Sequence, residues 1–336
     1  MTRRALYSLA DLDTVTVHRL VRRSLELYED PTAHDRPLAG LVAGLLFTKT
    51  STRTRTAFTA GTVRLGGTAV AFGPADLQTN TGESMADTGR MFATMLDLLV
   101  VRTAGPVAEH RALAADGALA VVNAMSIEEH PTQGLADVAT LVGHFGDLEG
   151  VRVLYVGEGN NTATALARAL AHYPGCHLVL ACPPGYGLPE YVRAGIAGLA
   201  AAGGGSITQV HDMGELPTDV HAVYTSRWQT TGSSKPDTHW RDVFRPFHVD
   251  TALMNRWPGA VFLHDLPAHR GEEVSGEVLD GKASLAWAQA GVKAAGAMAV
   301  LEWVAASVPA SAVPDTTGAA PPGFPVPGPT IQKEEE

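Results

Sequence analysis

Cysteine is nearly absent. Only Cys176 and Cys182 occur among 336 residues, which excludes a disulfide framework and fits a reducing, cytoplasmic compartment. Long apolar runs are missing too. No stretch of about 18 uncharged apolar residues exists, so no membrane span is expected. The best candidate, near Ala294 to Val308, is interrupted by Glu302 and preceded by Lys293. The start, Met1 to Asp11, has no apolar signal core. Positive charge is scarce as well, and the formal net charge is -10. A broad nucleic-acid or anionic-membrane surface needs a basic face, so neither partner is expected. Net charge does not describe a cleft, and a local cationic pocket stays open. The 13 histidines show no zinc-type ligand spacing, so neither a metal nor a cofactor is expected.

What is present is ample apolar material, 45% of the chain against 18% charged, enough to bury two cores. Apolar runs alternate with helical patterns. Strands are expected at 40–47, 68–72, 98–102, 119–123, 151–156, 177–182, 222–225 and 261–264. Helices are expected at 52–65, 84–96, 134–145, 162–173, 190–202 and 286–306. That rhythm implies an α/β chain of two doubly wound parallel-sheet domains with helices on both faces. Residues 143–150 read as a hinge, which sets the expected limits at 1–143 and 144–285. A helix at 286–307 is long enough to cross back onto the first domain. The tail at 308–336 is rich in Pro, Gly and Ala, ends in Lys-Glu-Glu-Glu, and reads as disordered.

Ser51-Thr52-Arg53-Thr54-Arg55 follows an expected strand and opens an expected helix. Such a junction offers free backbone N–H groups and the positive end of a helix dipole. Hydroxyls and guanidinium forks added there make a site for a dianionic phosphate. The plainer alternative has Ser51 capping the helix while the arginines face water. Gly157-Glu158-Gly159-Asn160-Asn161-Thr162 after a strand suggests a dinucleotide fingerprint. However, Thr162 takes the third glycine's place, and the strand ending at Ala181-Cys182-Pro183 lacks the acidic ribose partner.

Several segments, taken in order, resemble the aspartate/ornithine transcarbamylase family. They are Phe47-Thr48-Lys49-Thr50-Ser51-Thr52-Arg53-Thr54-Arg55, Gly82-Glu83-Ser84 with Asp87-Thr88, Arg102-Thr103, His130-Pro131-Thr132-Gln133, and Leu135-Ala136-Asp137. Gly157-Glu158-Gly159-Asn160-Asn161 and Leu266-Pro267 with Arg270 and Glu273-Val274 complete the set. The ornithine-type branch is the nearer match, through the Gly-x-Gly-Asn-Asn turn and the His-x-Leu-Pro-x-x-Arg segment. The resemblance implies a carbamoyl-phosphate domain followed by an acceptor domain. It implies that Ser51, Thr52, Arg53 and Thr54 hold the phosphate and that Arg102 bridges phosphate and carbonyl oxygen. His130 and Gln133 would then reach the carbamoyl group. Lys293 stands where the family has another phosphate-binding arginine. Gln78 would enter a neighbouring subunit's site, which makes the enzyme an oligomer, a homotrimer in this family. Glu83 and Asp87 would anchor a loop, Asn161 would contact the acceptor, and Arg270 would join the catalytic groups. The Leu266–Pro267 bond is cis in relatives.

The implied chemistry is carbamoyl transfer from carbamoyl phosphate to a primary amine, giving a ureido product and phosphate. Thr54, Arg102 and His130 would donate to the carbonyl oxygen as charge grows on it. No covalent intermediate is needed. The acceptor end departs from the family's pattern. Ser226 replaces a carboxylate, Thr230-Thr231 replace Ser-Met, and Asp265 replaces the cysteine before Leu266-Pro267. Asp265 would orient an ammonium or accept its proton, or else face solvent or pair with Arg270. These changes suggest an acceptor other than plain ornithine, such as a diaminopropionyl or other diamino-acid unit of a specialised metabolite, for example an antibiotic. The alternatives are an ornithine carbamoyltransferase making citrulline, and a non-catalytic binding or scaffold protein.

Overall fold

The computed structural model describes residues 3–309 except positions 231, 233 and 236, and it leaves out the side chains at 79 and 80. Thr231 and the tail from 310, both named above, lie outside the described residues. The first domain opens with α1 (Thr14–Glu29), capped by Asp13, whose carboxylate accepts the Thr16 N–H at 2.7 Å. Its buried Val17, Leu20, Val21, Ser24 and Leu27 follow helical spacing. Then come β1 (Val42–Phe47), α2 (Thr52–Arg64), β2 (Thr68–Phe72), α3 (Met85–Ala93), β3 (Leu98–Arg102), α4 (Val107–Ala112), β4 (Ala120–Met125) and α5 (Pro131–Phe145). Pro131 sits in the first turn of α5, where its missing N–H costs nothing, and Gly146 ends the helix at φ +79°.

The second domain runs β5 (Arg152–Val156), α6 (Asn161–Leu170), β6 (His177–Ala181), α7 (Glu190–Ala202), β7 (Ser206–Val210) and β8 (Ala222–Thr225). Short helices α8 (Trp240–Phe244) and α9 (Thr251–Met254) precede β9 (Val261–His264), and α10 (Gly276–Leu279) follows it. The last helix, α11 (Ala286–Ala305), packs on α1, α2 and α5 of the first domain. All described strand pairs are parallel. The sheet orders are β2-β1-β3-β4 and β7-β6-β5-β8-β9. Chain direction across each sheet reverses beside its first strand: between β1 and β3, and between β5 and β8. Loops at the carboxyl ends of such strands diverge and leave a crevice. Phe47 pairs with Arg102 and Val156 with Thr225, so both crevices open at strand ends.

The largest core passes through α1, α2, α5 and α11 and continues into α6 and one face of the second sheet. Where α5 meets α6, a Cβ added to Gly134 would lie 2.5 Å from the Ala165 carbonyl oxygen. Backbone on both sides leaves that contact nowhere to relax. Gly134→Ala is expected to cost about 1–3 kcal/mol by overpacking, read as a lowered midpoint in urea unfolding. An unchanged midpoint would show that the two helices are free to part.

Candidate active site

A cavity of about 200 Å³ opens between the two domains. Its first-domain wall is Thr50, Ser51, Thr52, Arg53, Thr54, Arg102, Met125 and His130. Its second-domain wall is Asn160, Asn161, Thr162, Ser226, Arg227, Gln229, Thr230, Asp265, Leu266 and Pro267, and Lys293 reaches in from α11. Groups separated by up to 243 positions in sequence meet here because the carboxyl ends of β1, β3, β5, β8 and β9 all face the cleft.

The anionic end is assembled at the start of α2. Ser51 is its N-cap, yet its side chain makes no capping hydrogen bond. The plain capping alternative therefore fails, and the hydroxyl and first-turn N–H groups are left for an anion. Thr54 is buried and accepts from Arg102 Nη1 at 3.4 Å. Arg102, 8% exposed, also donates to the Ala124 carbonyl at 3.4 Å and to His130 Nε2 at 3.1 Å. Its Nε is buried without a partner. Burial is the main force that pushes the guanidinium down to about 10, opposed by Asp265 and reinforced by Arg53 and Arg227. Arg53 is shifted down too, again chiefly by burial.

Because a guanidinium only donates, His130 Nε2 accepts from Arg102, and the ring proton sits on Nδ1, 3.3 Å from Thr132 Oγ1. Burial, then Lys293 and Arg102, hold this histidine well below its ordinary range. It is a neutral imidazole. Lys293 Nζ donates to Gln133 Oε1. Gln133 Nε2 donates to Asp137 Oδ1 at 2.7 Å, and Gln289 Nε2 and Tyr224 OH reach the same carboxylate at 2.6 and 3.2 Å. Burial raises Asp137 to about 7, against the lowering effect of the two amide donors. This network joins α5, β8 and α11, and so both domains.

At the acceptor end, Asn160 caps α6 through Oδ1 and donates through Nδ2 to Ser226 Oγ at 3.1 Å. Ser226 Oγ lies 2.6 Å from Tyr155 OH, which donates to the Glu158 carbonyl at 2.8 Å. Tyr155 has one proton to give, so Ser226 donates to it. Asp265 Oδ2 accepts from Thr162 Oγ1 at 3.1 Å. His264 Nδ1 accepts the Leu266 N–H at 2.8 Å, which puts the ring proton on Nε2 beside Glu273 Oε1 at 3.2 Å. His264 thus offers Asp265 no hydrogen bond. Thr230 Oγ1 donates to Glu158 Oε2 at 2.9 Å, and Lys235 Nζ pairs with Glu158 Oε1 at 2.6 Å. Asn161 Nδ2 donates across the cleft to the Ser126 carbonyl at 2.8 Å.

The structure brings Ser51, Thr52, Arg53, Thr54, Arg102, His130, Lys293, Asn161, Ser226, Thr230, Asp265 and Leu266 to one cavity. The Leu266–Pro267 peptide is cis. Three expectations need correction. Arg270 is exposed and held by Asp280 through Nη1 at 2.5 Å and Nη2 at 2.9 Å, away from the cavity wall and from Asp265. Arg55 turns back over the Phe47 ring, with its Cζ 5.2 Å from the centroid, so one guanidinium fewer faces the anion end. Gln133 lies behind the wall with both ends of its amide engaged. Gln78, expected to serve a neighbouring subunit's site, is exposed and lines no part of its own chain's cavity. Asn160, Thr162 and Arg227 were missed, as was the Asp137–Tyr224–Gln289 network. Asn160 was legible as a helix cap; the network was not, because its members are up to 152 positions apart.

Residues 4–142 match the family described as "Aspartate/ornithine carbamoyltransferase, carbamoyl-P binding domain", and residues 149–304 match its "Asp/Orn binding domain". The chain is 38% identical over 297 residues to an ornithine carbamoyltransferase of Nitratidesulfovibrio vulgaris (strain DP4), covering 88% of this chain and 97% of that one. It is 40% identical over 261 residues to one from Symbiobacterium thermophilum, covering 76% and 82%. Among solved structures, ornithine carbamoyltransferase from Pyrococcus furiosus superposes with a TM-score of 0.85 at 33% identity, covering 91% of this chain and 98% of that one. A parallel sheet in each domain, a last helix returned to the first domain, and matches along nearly the whole described length place this chain in the aspartate/ornithine carbamoyltransferase family.

Proposed function

We propose that this carbamoyltransferase passes the carbamoyl group of carbamoyl phosphate to an amine of an amino acid, with ornithine as acceptor and citrulline as product. The names of the relatives favour ornithine. The observation that carries the reaction is the convergence of Arg53, Arg102, Lys293 and the uncapped start of α2 on one cleft. The phosphate lies on the α2 amides and Arg53, and Arg102 reaches the carbonyl oxygen. A neutral amine attacks the carbamoyl carbon, the bond to the phosphate oxygen breaks, and the leaving phosphate takes the amine's proton. Charge-assisted donors aimed at the carbonyl oxygen stabilise the charge that grows there. On this reading residues 1–143 bind carbamoyl phosphate and 144–285 bind the acceptor. Gln78, exposed in its own chain, serves a neighbouring copy in a trimer.

One observation favours a second reading, an amine other than ornithine. Asp265 is the sole carboxylate among the described residues lining the cavity, and Ser226 holds only neutral partners. With its attacking amine neutral, ornithine still presents an α-ammonium, and one described carboxylate, Asp265, must serve both nitrogens. An acceptor with a masked or shorter α-amino end suits it better. Asp265 beside the attacking nitrogen also raises that amine's pKa and shifts the optimum to higher pH. The experiment is phosphate and ureido-product formation with ornithine, lysine, 2,4-diaminobutyrate and free or amide-linked 2,3-diaminopropionate. Ornithine is expected to lead. A tenfold higher kcat/KM for a diaminopropionyl compound transfers the assignment to the second reading. No product with any amine refutes both.

A further inference from the structure

Lys293 is enclosed more tightly than the role of a simple anion contact requires. It is 8% exposed and lines the cavity with Arg53 and Arg102. Among the described residues its Nζ makes one hydrogen bond, to Gln133 Oε1, and Asp137 locks that amide from the other side. It forms no ion pair with a described carboxylate. The charged groups that act on it come from four elements. Arg102 on β3 and Arg53 on α2 repel its proton, while Asp137 on α5 and Asp265 after β9 attract it. His130 beside it is neutral. Arg227 lines the same cavity. Crowded cations in a desolvated site expel whichever proton is least tightly held. An arginine cannot comply, whereas a lysine can.

We propose that Lys293 is a proton-exchanging member of the anion site, neutral in the empty cavity and protonated when a phosphate dianion enters. The neutral amine takes a proton from solvent, and the resulting ammonium faces the anion while still donating to Gln133. Burial, seconded by Arg102, brings its ionisation down to about 7 in the empty site. Above that pH the lysine is uncharged until the dianion's charge favours the ammonium. Carbamoyl phosphate binding is then coupled to proton uptake, a property that the family's arginine at this position lacks. The proposal rests on reading the cavity as a carbamoyl phosphate site.

The test is calorimetric titration of carbamoyl phosphate into the full chain, without acceptor, in two buffers of different ionisation enthalpy. Wild type is expected to take up about 0.8 proton per chain at pH 8 and about 0.1 at pH 6. Its Kd is expected to weaken up to about tenfold per pH unit above pH 7. Lys293→Arg is expected to bind with no uptake and a flat Kd over the same range. Lys293→Met serves if the arginine variant does not fold, and it too must show no uptake. Asp137→Asn is expected to keep the wild-type uptake. Buffer-independent heat from wild type at pH 8 overturns the proposal. So does uptake that persists in the Lys293 variants, or that vanishes in Asp137→Asn. Absence of binding by wild type at either pH overturns the reading of the cavity itself.

Discussion

Arg102→Met is expected to lower kcat/KM for carbamoyl phosphate by about a thousandfold while the chain stays folded. The side chain is the cavity's most deeply buried guanidinium, with an Nε that has no partner among the described residues. A preorganised donor of this kind is worth about 3 kcal/mol in the transition state, and its positive charge adds to that. Methionine fills similar volume and removes the guanidinium that donates to Thr54 and His130. Losing that repulsion also lifts His130 and Lys293 toward their ordinary values. The pH profile should therefore shift along with the rate. Arg102→Lys should recover only part of the loss, because a point charge does not replace a fork. Steady-state kinetics at several pH values decide the matter, and a loss below tenfold would remove Arg102 from the reaction.

Asp137→Ala is expected to destabilise the chain by about 3–5 kcal/mol, because Gln133 and Tyr224 would each keep a buried donor with no acceptor and Gln289 would keep only the Tyr224 hydroxyl at 3.4 Å. Asp137→Asn is expected to behave differently. Its amide oxygen can keep both glutamine donors, and Tyr224 can reverse its hydroxyl to accept. The pH dependence separates the two roles of the carboxylate. Its ionisation is raised from 3.8 to about 7 on folding, so the folded state binds this proton more tightly than the unfolded state does. Its stabilising contribution is complete below pH 3.8 and is lost as pH rises to about 7, at up to about 1.4 kcal/mol per pH unit. The asparagine variant lacks that loss and should gain on wild type between pH 5 and pH 8. Urea midpoints at those pH values check this, and parallel curves for the two proteins would contradict it.

The strand and helix rhythm was legible because buried parallel strands are continuous apolar runs, as in Leu-Leu-Val-Val-Arg at β3 and Val-Phe-Leu-His at β9. Six elements were passed over: α1, β7 and the short helices α4, α8, α9 and α10. β7, Ser-Ile-Thr-Gln-Val, is an edge strand of mixed polarity, partly exposed along its length. α1 does carry a signal, an Asp13 cap and apolar residues at helical spacing, but it lies outside the alternating units. At the site, the phosphate end was readable because one turn supplies Ser51, Thr52, Arg53 and Thr54 together. The acceptor end was less so, since side chains from β5, β8 and β9 meet only in the fold. Arg270 and Arg55 show the limit from the other direction. Each sits beside a residue that lines the cavity or in its motif, yet an Asp280 carboxylate and a Phe47 ring hold them elsewhere. Local sequence fixes which groups are near in the chain, while rotamer and partner decide where each points.

The return of α11 to the first domain has a consequence for how the protein is made. Its buried face, which includes Val292, Met298 and Leu301, completes a core shared with α1 and α2. As the chain emerges from the ribosome, the first sheet forms with that groove uncovered, and it stays uncovered until the final helix is released. Nascent first domains are therefore expected to need shielding from one another for the whole time of translation, and truncation before position 286 should leave them insoluble.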